Sequence, residues 1–178
     1  WSREEKATLW TEIVSEKIRK QAELLEQYGK TEAELLYKYI NEIELGDVTN
    51  REGHAAKVYF NALFGKDFTR TEECPINAAL NYGYALILSC FNREIVSNGY
   101  ITQIGLFHDN MFNPYNLSSD LMEPYRVVVD RMVRGRRWEK FESEEKNEML
   151  QVLNQEVILE RNVLLMQLKF IQKVFLMH

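Results

Sequence analysis

Two carboxylates and one imidazole from three separate segments form the strongest chemical candidate in this sequence. Glu52 stands in the first turn of a predicted helix, and His108 lies in a loop rich in Gly and Asn. Asp120 and Glu123 follow a predicted Ser-capped helix start. Each residue alone has an ordinary structural explanation, because acids stabilise helix N-termini and loop histidines make hydrogen bonds. Together they would offer the mixed oxygen and nitrogen donors that suit Mg²⁺ or Mn²⁺.

Well-known catalytic signatures are absent from the sequence. The patterns HExxH, GxSxG and GxGxxG do not occur, nor does GxxxxGK followed by Ser or Thr. His54, His108 and His178 each lack a Glu three residues ahead, which excludes the Glu-x-x-His pattern of di-iron bundles. Residue spacing alone therefore leaves both the metal site and the structural explanation open.

A second candidate is a group of five arginines within twelve residues of the chain. Its members are Arg126, Arg131, Arg134, Arg136 and Arg137. Their spacing places several of them on one side of a helix end, where guanidinium groups can bind phosphates. The ordinary alternative is a set of cations that stabilise a helix C-terminus and a solvated face.

The elements that must position these residues are predicted to be helices. The chain of 178 residues is 46% hydrophobic and contains only 8 Gly and 3 Pro, which favours long helices over many-turned sheets. We therefore predict one all-α domain. An N-terminal helical hairpin is expected over 1–48, a motif-bearing core over 49–140 and C-terminal helices over 141–178.

Local signals place several boundaries within this scheme. Thr49 or Asn50 is predicted to cap the helix that carries Glu52. A helix from Ser118 or Ser119 to Arg134 contains Pro124, which must mark its first turn or kink it. Further helical patterns cover Ile76–Asn98, Ile101–Phe107, Glu142–Val157 and Asn162–Met177.

The charge distribution qualifies what the total charge implies about partners. The net charge of −5 argues against a generic nucleic-acid coat protein, which would be strongly basic. The excess acid lies in the flanks, however, since 1–48 carries −4 and 141–178 carries −2, whereas 49–140 carries +1. Cys74 and Cys90 show no pairing or metal-binding pattern, which predicts reduced thiols in the cytoplasm. No apolar run approaches the length of a membrane span, so no membrane partner is expected.

Four motifs in order resemble those of the CRISPR-associated adaptation integrase, the catalytic subunit of spacer acquisition. The residues of these motifs are similar to those of the version found in type II systems. The motifs are Arg51–Phe60 (REGHAAKVYF), Asn77–Leu86 (NAALNYGYAL), Gly105–Asn110 (GLFHDN) and Asp120–Arg126 (DLMEPYR), with Asp130 beyond the last.

The resemblance implies roles for particular residues. The metal ligands would be Glu52, His108 and Glu123, which would also be the catalytic residues. Asp120 would be a neighbouring acid that supports the ligands. Asn81, Tyr82 and Arg126 would orient ligands or contact phosphate, and the arginines from Arg131 to Arg137 would hold the DNA backbone.

The resemblance also implies an activity and partners. The activity is a Mg²⁺- or Mn²⁺-dependent DNA endonuclease/integrase that inserts spacers into a CRISPR array by transesterification of a 3′-hydroxyl onto a repeat phosphodiester. Partners would be double-stranded DNA (spacer precursor and repeat), a second copy as a homodimer in the full-length protein, and a small second adaptation subunit. The family's N-terminal β-sandwich domain has no counterpart in this sequence. We therefore expect the sequence from Trp1 onward to be the catalytic half of a larger chain.

Two other functions remain open from the sequence. One is a noncatalytic helical DNA-binding or assembly module that uses the arginines without a metal. The other is a protein-docking module that uses the acidic N-terminal hairpin and the apolar final segment.

Overall fold

Helices build most of the computed structural model, which describes residues 1–154, 156–159 and 162–165. Its α-helices are α1 (Arg3–Gln27), α2 (Ala33–Asn41), α3 (Arg51–Phe64), α4 (Pro75–Ser97), α5 (Asn116–Leu121), α6 (Arg126–Arg134) and α7 (Ser143–Met149). Short 3₁₀ turns cover Leu45–Asp47, Glu123–Tyr125 and Leu150–Asn154. The predicted all-α class is confirmed, with one small strand pair as an exception.

The long helix α1 supplies much of the core. Ser2 and Glu5 cap it reciprocally, because Glu5 N donates to Ser2 Oγ at 3.2 Å and Ser2 N donates to the Glu5 carboxylate. One face of α1 packs against α2 and α3. The buried residues of that face are Trp10, Ile13, Val14, Lys17, Ile18, Gln21, Ala22, Leu24 and Leu25. Nine-residue-long α2 completes the hairpin that the sequence pattern indicated.

The central helix α4 and helix α6 pack closely at Gly83. A Cβ atom at this position would lie 2.5 Å from a methyl group of Val129, so glycine is what permits the close approach. Both helices bury apolar residues at the contact, including Ala79, Leu80 and Val133. This packing fixes the position of α6 relative to the rest of the core.

Pro124 interrupts the helix that the sequence predicted between Ser118 and Arg134. The chain forms α5, then the 3₁₀ turn Glu123–Tyr125, then α6, because proline has no N–H to continue the α-helical ladder. The short helix predicted at Ile101–Phe107 is wrong. That segment forms turns, and its amides from Leu106 onward donate to the Asp120 carboxylate instead of to helix carbonyls.

The C-terminal helices predicted over 141–178 are confirmed only in α7. Instead of continuing as helix, Glu156–Leu159 (β1) pairs antiparallel with Asn162–Leu165 (β2), and Glu156 lies opposite Leu165. Short apolar runs rich in Val and Ile suit a strand as well as a buried helix, which is why the periodicity was ambiguous. The rest of the predicted helix Asn162–Met177 lies outside the described residues. Within the described part of the chain, no helix has the length and apolar character needed to cross a membrane.

Candidate metal centre

The N-terminus of α3 positions Glu52. The Asp47 carboxylate accepts hydrogen bonds from Arg51 N at 2.7 Å and Glu52 N at 3.0 Å, and Asn50 Oδ1 accepts from Gly53 N at 3.2 Å. Asn50 is the N-cap, in agreement with one of the two predicted caps, and it adopts a left-handed backbone conformation. These bonds fix the first turn of α3, so the Glu52 carboxylate projects from a rigid helix start.

The Glu123 carboxylate is nearly fully buried in the turn between α5 and α6. Its Oε1 atom accepts a hydrogen bond from Arg126 Nε at 2.9 Å and forms an ion pair with Arg126 Nη2, also at 2.9 Å. Both guanidinium nitrogens contact the same oxygen, which leaves Oε2 to another partner. Burial by itself would raise the pKa of Glu123, but the positive charges of Lys17 and Arg126 outweigh it and lower the pKa. Glu123 is therefore held as an anion inside the protein.

Lys17 from α1 joins the two carboxylates. Its Nζ lies 2.5 Å from Glu52 Oε1 and 2.5 Å from Glu123 Oε2. Lys17 is itself buried, with 7% of its surface exposed. Residue spacing did not single it out, although it occupies the apolar stripe of α1 between Ile13 and Gln21, where a lysine is unusual. A lysine within this apolar stripe was therefore the sequence signal that could have identified Lys17 as a functional residue.

His108 is anchored through Asp120. The ring Nδ1 lies 2.5 Å from Asp120 Oδ1, so a protonated Nδ1 donates there and Nε2 is the ring nitrogen left for a ligand. Asp120 is completely buried and also accepts from the amides of Leu106 at 2.6 Å, Phe107 at 3.1 Å and His108 at 3.2 Å. The bond to Asp120 raises the pKa of His108, against the effect of burial, and the negative charges of Glu123 and Glu52 raise it further.

Gly105 allows this loop to fold around Asp120. A Cβ atom on Gly105 would lie 2.2 Å from the His108 carbonyl oxygen and 2.8 Å from Asp120 Oδ2. Any side chain would therefore push the loop off the carboxylate. The carbonyl of Gly105 also accepts from Lys6 Nζ at 2.8 Å, which ties the loop to α1.

The carboxylates of Glu52 and Glu123 and the imidazole of His108 are donor types that suit a divalent metal ion. In the described structure they do not form a complete coordination site. Glu52 and Glu123 reach one common cation on α1, and the His108 imidazole packs edge-on against Trp10 of the same helix, with ring centroids 6.0 Å apart. Among the residues that the structure describes, no three His, Cys, Asp or Glu side chains are close enough to hold one ion. The Lys17 ammonium, rather than an imidazole, completes the contact between the carboxylates.

A buried carboxylate supports Arg126 from the other side. Asp130 accepts a hydrogen bond from Tyr59 Oη at 2.8 Å and a second, short one from Tyr84 Oη. The Arg126 guanidinium lies over the Tyr84 ring, 4.6 Å from its centroid. Burial raises the pKa of Asp130 to about 6 in spite of both tyrosine bonds. The position of Arg126, and through it that of Glu123, thus depends on this second buried cluster.

Asn81 and Tyr82 lie in a different environment from the carboxylates. Asn81 is exposed and accepts a hydrogen bond from Arg70 Nη2 at 2.6 Å. Tyr82 packs edge-on against Phe141, with ring centroids 5.6 Å apart. Arg70 also lies over the Tyr84 ring, so Asn81 is connected to the Asp130 cluster through Arg70 rather than directly to the candidate metal ligands.

The five arginines face different partners. Arg126 belongs to the carboxylate site, and Arg134 lies over the Tyr28 ring at 5.4 Å. Arg136 pairs with Glu145 and Glu148, and Arg137 pairs with Glu139. Arg131 is exposed at the end of α6. The charge of Arg136 is thus matched by two carboxylates, whereas the Arg137 side chain stays 90% exposed.

Comparison with known proteins identifies the family. The profile of "CRISPR associated protein Cas1" matches residues 2–156. The match includes Glu52, His108 and Glu123. This chain belongs to the Cas1 family. The resemblance read from the four motifs is thereby confirmed.

Individual Cas1 relatives extend the comparison. A protein from Neisseria meningitidis serogroup C (strain 8013), named CRISPR-associated endonuclease Cas1, is 36% identical over 162 residues, which cover 88% of this chain and 53% of the relative. A Cas1 endonuclease from Thermus thermophilus is 35% identical over 130 residues, covering 66% of this chain and 41% of the relative. The chain thus spans about half the length of the curated relatives it matches.

A solved structure shows the same fold. A casposase bound to integration product matches 98% of this chain and 62% of its own, with a TM-score of 0.73 and 21% identity. The helical architecture described above is therefore shared with that protein. The fold places the three candidate ligands on α3, on the loop after α4 and on the turn before α6.

Proposed function

We propose that this chain is the catalytic helical domain of a metal-dependent DNA endonuclease/integrase that inserts spacers into a CRISPR array. One observation carries the proposal: Glu52 and Glu123, brought together from different helical segments, meet at one cation, the Lys17 ammonium. Membership of the Cas1 family supports it, and related proteins are named CRISPR-associated endonucleases.

Glu52, Glu123 and His108 are the residues proposed to hold Mg²⁺ or Mn²⁺. Two carboxylates and an imidazole match the hard-to-borderline character of these ions, and the imidazole shifts the preference toward Mn²⁺. When bound, the ion would polarise the phosphodiester of the repeat and favour the deprotonated 3′-hydroxyl of the spacer. We propose Mg²⁺ as the cellular ion.

The surrounding residues of the chain keep these donors in position. Asp120 holds the His108 proton on Nδ1, which directs the lone pair of Nε2 outward as a donor. Arg126 clamps Glu123 Oε1 and leaves Oε2 for a cation. Because Arg126 is positive and next to the site, we propose that it also attracts the phosphate group.

The proposed reaction is a direct transesterification. The spacer 3′-hydroxyl loses its proton as its oxygen bonds to the repeat phosphorus, the bond from phosphorus to the leaving 3′-oxygen breaks, and the leaving oxygen takes up a proton in exchange. One phosphodiester replaces another, so no hydrolysed cofactor is needed. Positioning and electrostatic stabilisation by the site account for most of the proposed catalysis.

DNA and two protein partners follow from the same proposal. One structural match is a casposase bound to integration product, and another, with a TM-score of 0.71 and 21% identity over 92% of this chain and 22% of its own, is a Cas6-RT-Cas1--Cas2 complex. We propose double-stranded DNA, both spacer precursor and CRISPR repeat, as substrate. We propose a Cas2-type small subunit and a second copy of the protein as partners.

The experiment is metal-dependent strand joining by the full-length protein. A short duplex with free 3′-hydroxyls is incubated with a repeat-containing plasmid and Mn²⁺, and the joined product is measured. Glu52→Gln, His108→Ala and Glu123→Gln should each lower the joining rate at least about tenfold, because each removes a proposed ligand. Two matched controls on exposed sites, Glu34→Gln and His54→Ala, should leave it unchanged.

Two results would contradict the proposal. Unchanged joining by His108→Ala would remove the imidazole from the assigned site. Salt-sensitive DNA binding by the wild type without joining under Mn²⁺ would favour the noncatalytic DNA-binding module instead. In that case Arg134→Ala and Arg136→Ala should lower the salt dependence of binding.

A further inference from the structure

Lys17 provides a positive charge at the place where the two proposed metal-ligand carboxylates meet. Its ammonium contacts Glu52 Oε1 and Glu123 Oε2 at 2.5 Å each. We propose that Lys17 competes with the divalent ion for this carboxylate pair, so that metal binding displaces its ammonium. The inference rests on the proposed function, because it takes Glu52 and Glu123 to be metal ligands.

The geometry makes simultaneous occupancy unfavourable. Divalent ions of this class lie about 2.0–2.2 Å from their carboxylate oxygens. An ion that contacts the same two oxygens as Lys17 would therefore lie less than about 5 Å from the ammonium, given the 2.5 Å ion pairs. Two positive charges at that distance in a buried site repel each other strongly. One of them has to move.

The charges of the site are balanced while Lys17 is in place. The carboxylates of Glu52 and Glu123 are matched by Lys17 and Arg126. Adding a divalent ion without moving either cation would leave a large positive excess inside the protein. Displacing one cation removes half of that excess, which makes exchange more favourable than addition.

Lys17 is the more exchangeable of the two cations. Arg126 grips Glu123 Oε1 through two nitrogens of a planar guanidinium and lies over the Tyr84 ring. Lys17 contacts the carboxylates through a single nitrogen, which lies 2.5 Å from Glu123 Oε2 and donates to Glu52 Oε1. A lysine side chain is also a flexible stem, and its movement leaves both Arg126 contacts to Oε1 in place.

The test measures Mn²⁺ binding, not activity, with this chain. Free Mn²⁺ is followed by its paramagnetic resonance signal during titration of wild type and Lys17→Met, which replaces the ammonium with a neutral side chain of similar length. Removal of the competing charge should tighten Mn²⁺ binding at least about tenfold. Lys20→Met, one turn away and paired with Glu16 and Glu23, is the matched control and should bind like wild type.

The same titration separates the two proposals. If Glu52→Gln and His108→Ala weaken Mn²⁺ binding while Lys17→Met binds as wild type or more weakly, the competition is wrong and the ligand assignment stands. If Glu52→Gln and His108→Ala bind Mn²⁺ like wild type, the metal site itself is wrong and both proposals fail.

Two further measurements guard against a folding defect in Lys17→Met. Lys17→Arg keeps the positive charge and should bind Mn²⁺ no more tightly than wild type. Tighter binding by Lys17→Arg would show that charge is not the cause and would overturn the inference. The thermal midpoint of Lys17→Met should be lower than wild type in chelator and should rise more on addition of Mn²⁺, because tighter binding gives greater stabilisation.

Discussion

The His108 ring nitrogen Nδ1 lies 2.5 Å from Asp120 Oδ1, and Oδ2 of the same carboxylate accepts the amides of Leu106 and Phe107. One fully buried carboxylate therefore shapes the loop and orients the imidazole. A change at Asp120 should therefore disturb both the loop amides and the ring, whereas a change at His108 removes only the contact between the ring and the carboxylate.

Replacing Asp120 with Asn should destabilise the fold. The Asp120 carboxylate accepts four hydrogen bonds, from three backbone amides and the His108 ring. The asparagine side chain has only one acceptor oxygen, so at least two of these bonds are lost. Its NH₂ group would also face the donors that the lost oxygen had accepted from. We expect about 2–3 kcal/mol lower free energy of unfolding, measured by urea denaturation. Asp109→Asn, at the exposed neighbouring loop position, should change it by less than about 0.5 kcal/mol. Equal effects in both variants would contradict the role of Asp120.

The His108–Asp120 contact should make stability depend on pH. The folded-state pKa of His108 lies above its unfolded value, so its stabilising contribution is complete below about pH 6.5 and is lost as pH rises through the folded pKa. The difference in unfolding free energy between wild type and His108→Gln should therefore shrink from about pH 5.5 to about pH 8.5. Urea titrations at both pH values measure it, with exposed His54→Gln as control. A difference that grows with pH would refute the prediction.

Gly105→Ala should damage the loop although it adds only one methyl group. The new Cβ would lie 2.2 Å from the His108 carbonyl oxygen, so the backbone has to shift. We expect a loss of about 1–3 kcal/mol in unfolding free energy. Gly135→Ala is the matched control, because its nearest atom is 3.4 Å away and its φ is −70°. Calorimetry of both variants should show a lower midpoint for Gly105→Ala only.

Asp130 should produce a pH dependence of the opposite kind to a salt-bridged carboxylate. Burial raises its folded-state pKa to about 6, above the unfolded value of about 3.9. Between these values the folded protein holds a proton that the unfolded chain has lost, so wild type loses stability as pH rises from about 4 to about 6.

The comparison with Asp130→Asn measures this effect. Wild type should lose at most about 3 kcal/mol relative to the variant across that interval, and the difference should then stay constant. Urea denaturation in steps of pH provides the measurement. A relative gain in wild-type stability over the same interval would show that the buried carboxylate is stabilised as an anion.

Much of the fold follows from local sequence. Glycine, proline and capping residues punctuate long amphipathic stretches, so the helix around Glu52, its cap at Asn50 and the break at Pro124 were predictable. The strand pair after α7 was not, because short apolar runs have no distinguishing period. The turn structure of Ile101–Phe107 was not predictable either, since its amides bond to a carboxylate more than ten residues away.

The candidate site, like the fold, was predictable from the sequence only in part. The sequence by itself determined the residue types of Glu52, His108 and Glu123, their order in four motifs, and hence the Cas1 family. Only the tertiary structure decided what stands between them. Lys17 is thirty-five residues from Glu52 along the chain, and only the packing of α1 against α3 and the Glu123 turn makes it their shared counter-ion. Long-range charge pairing of this kind has no local sequence period, because it depends on which helices meet.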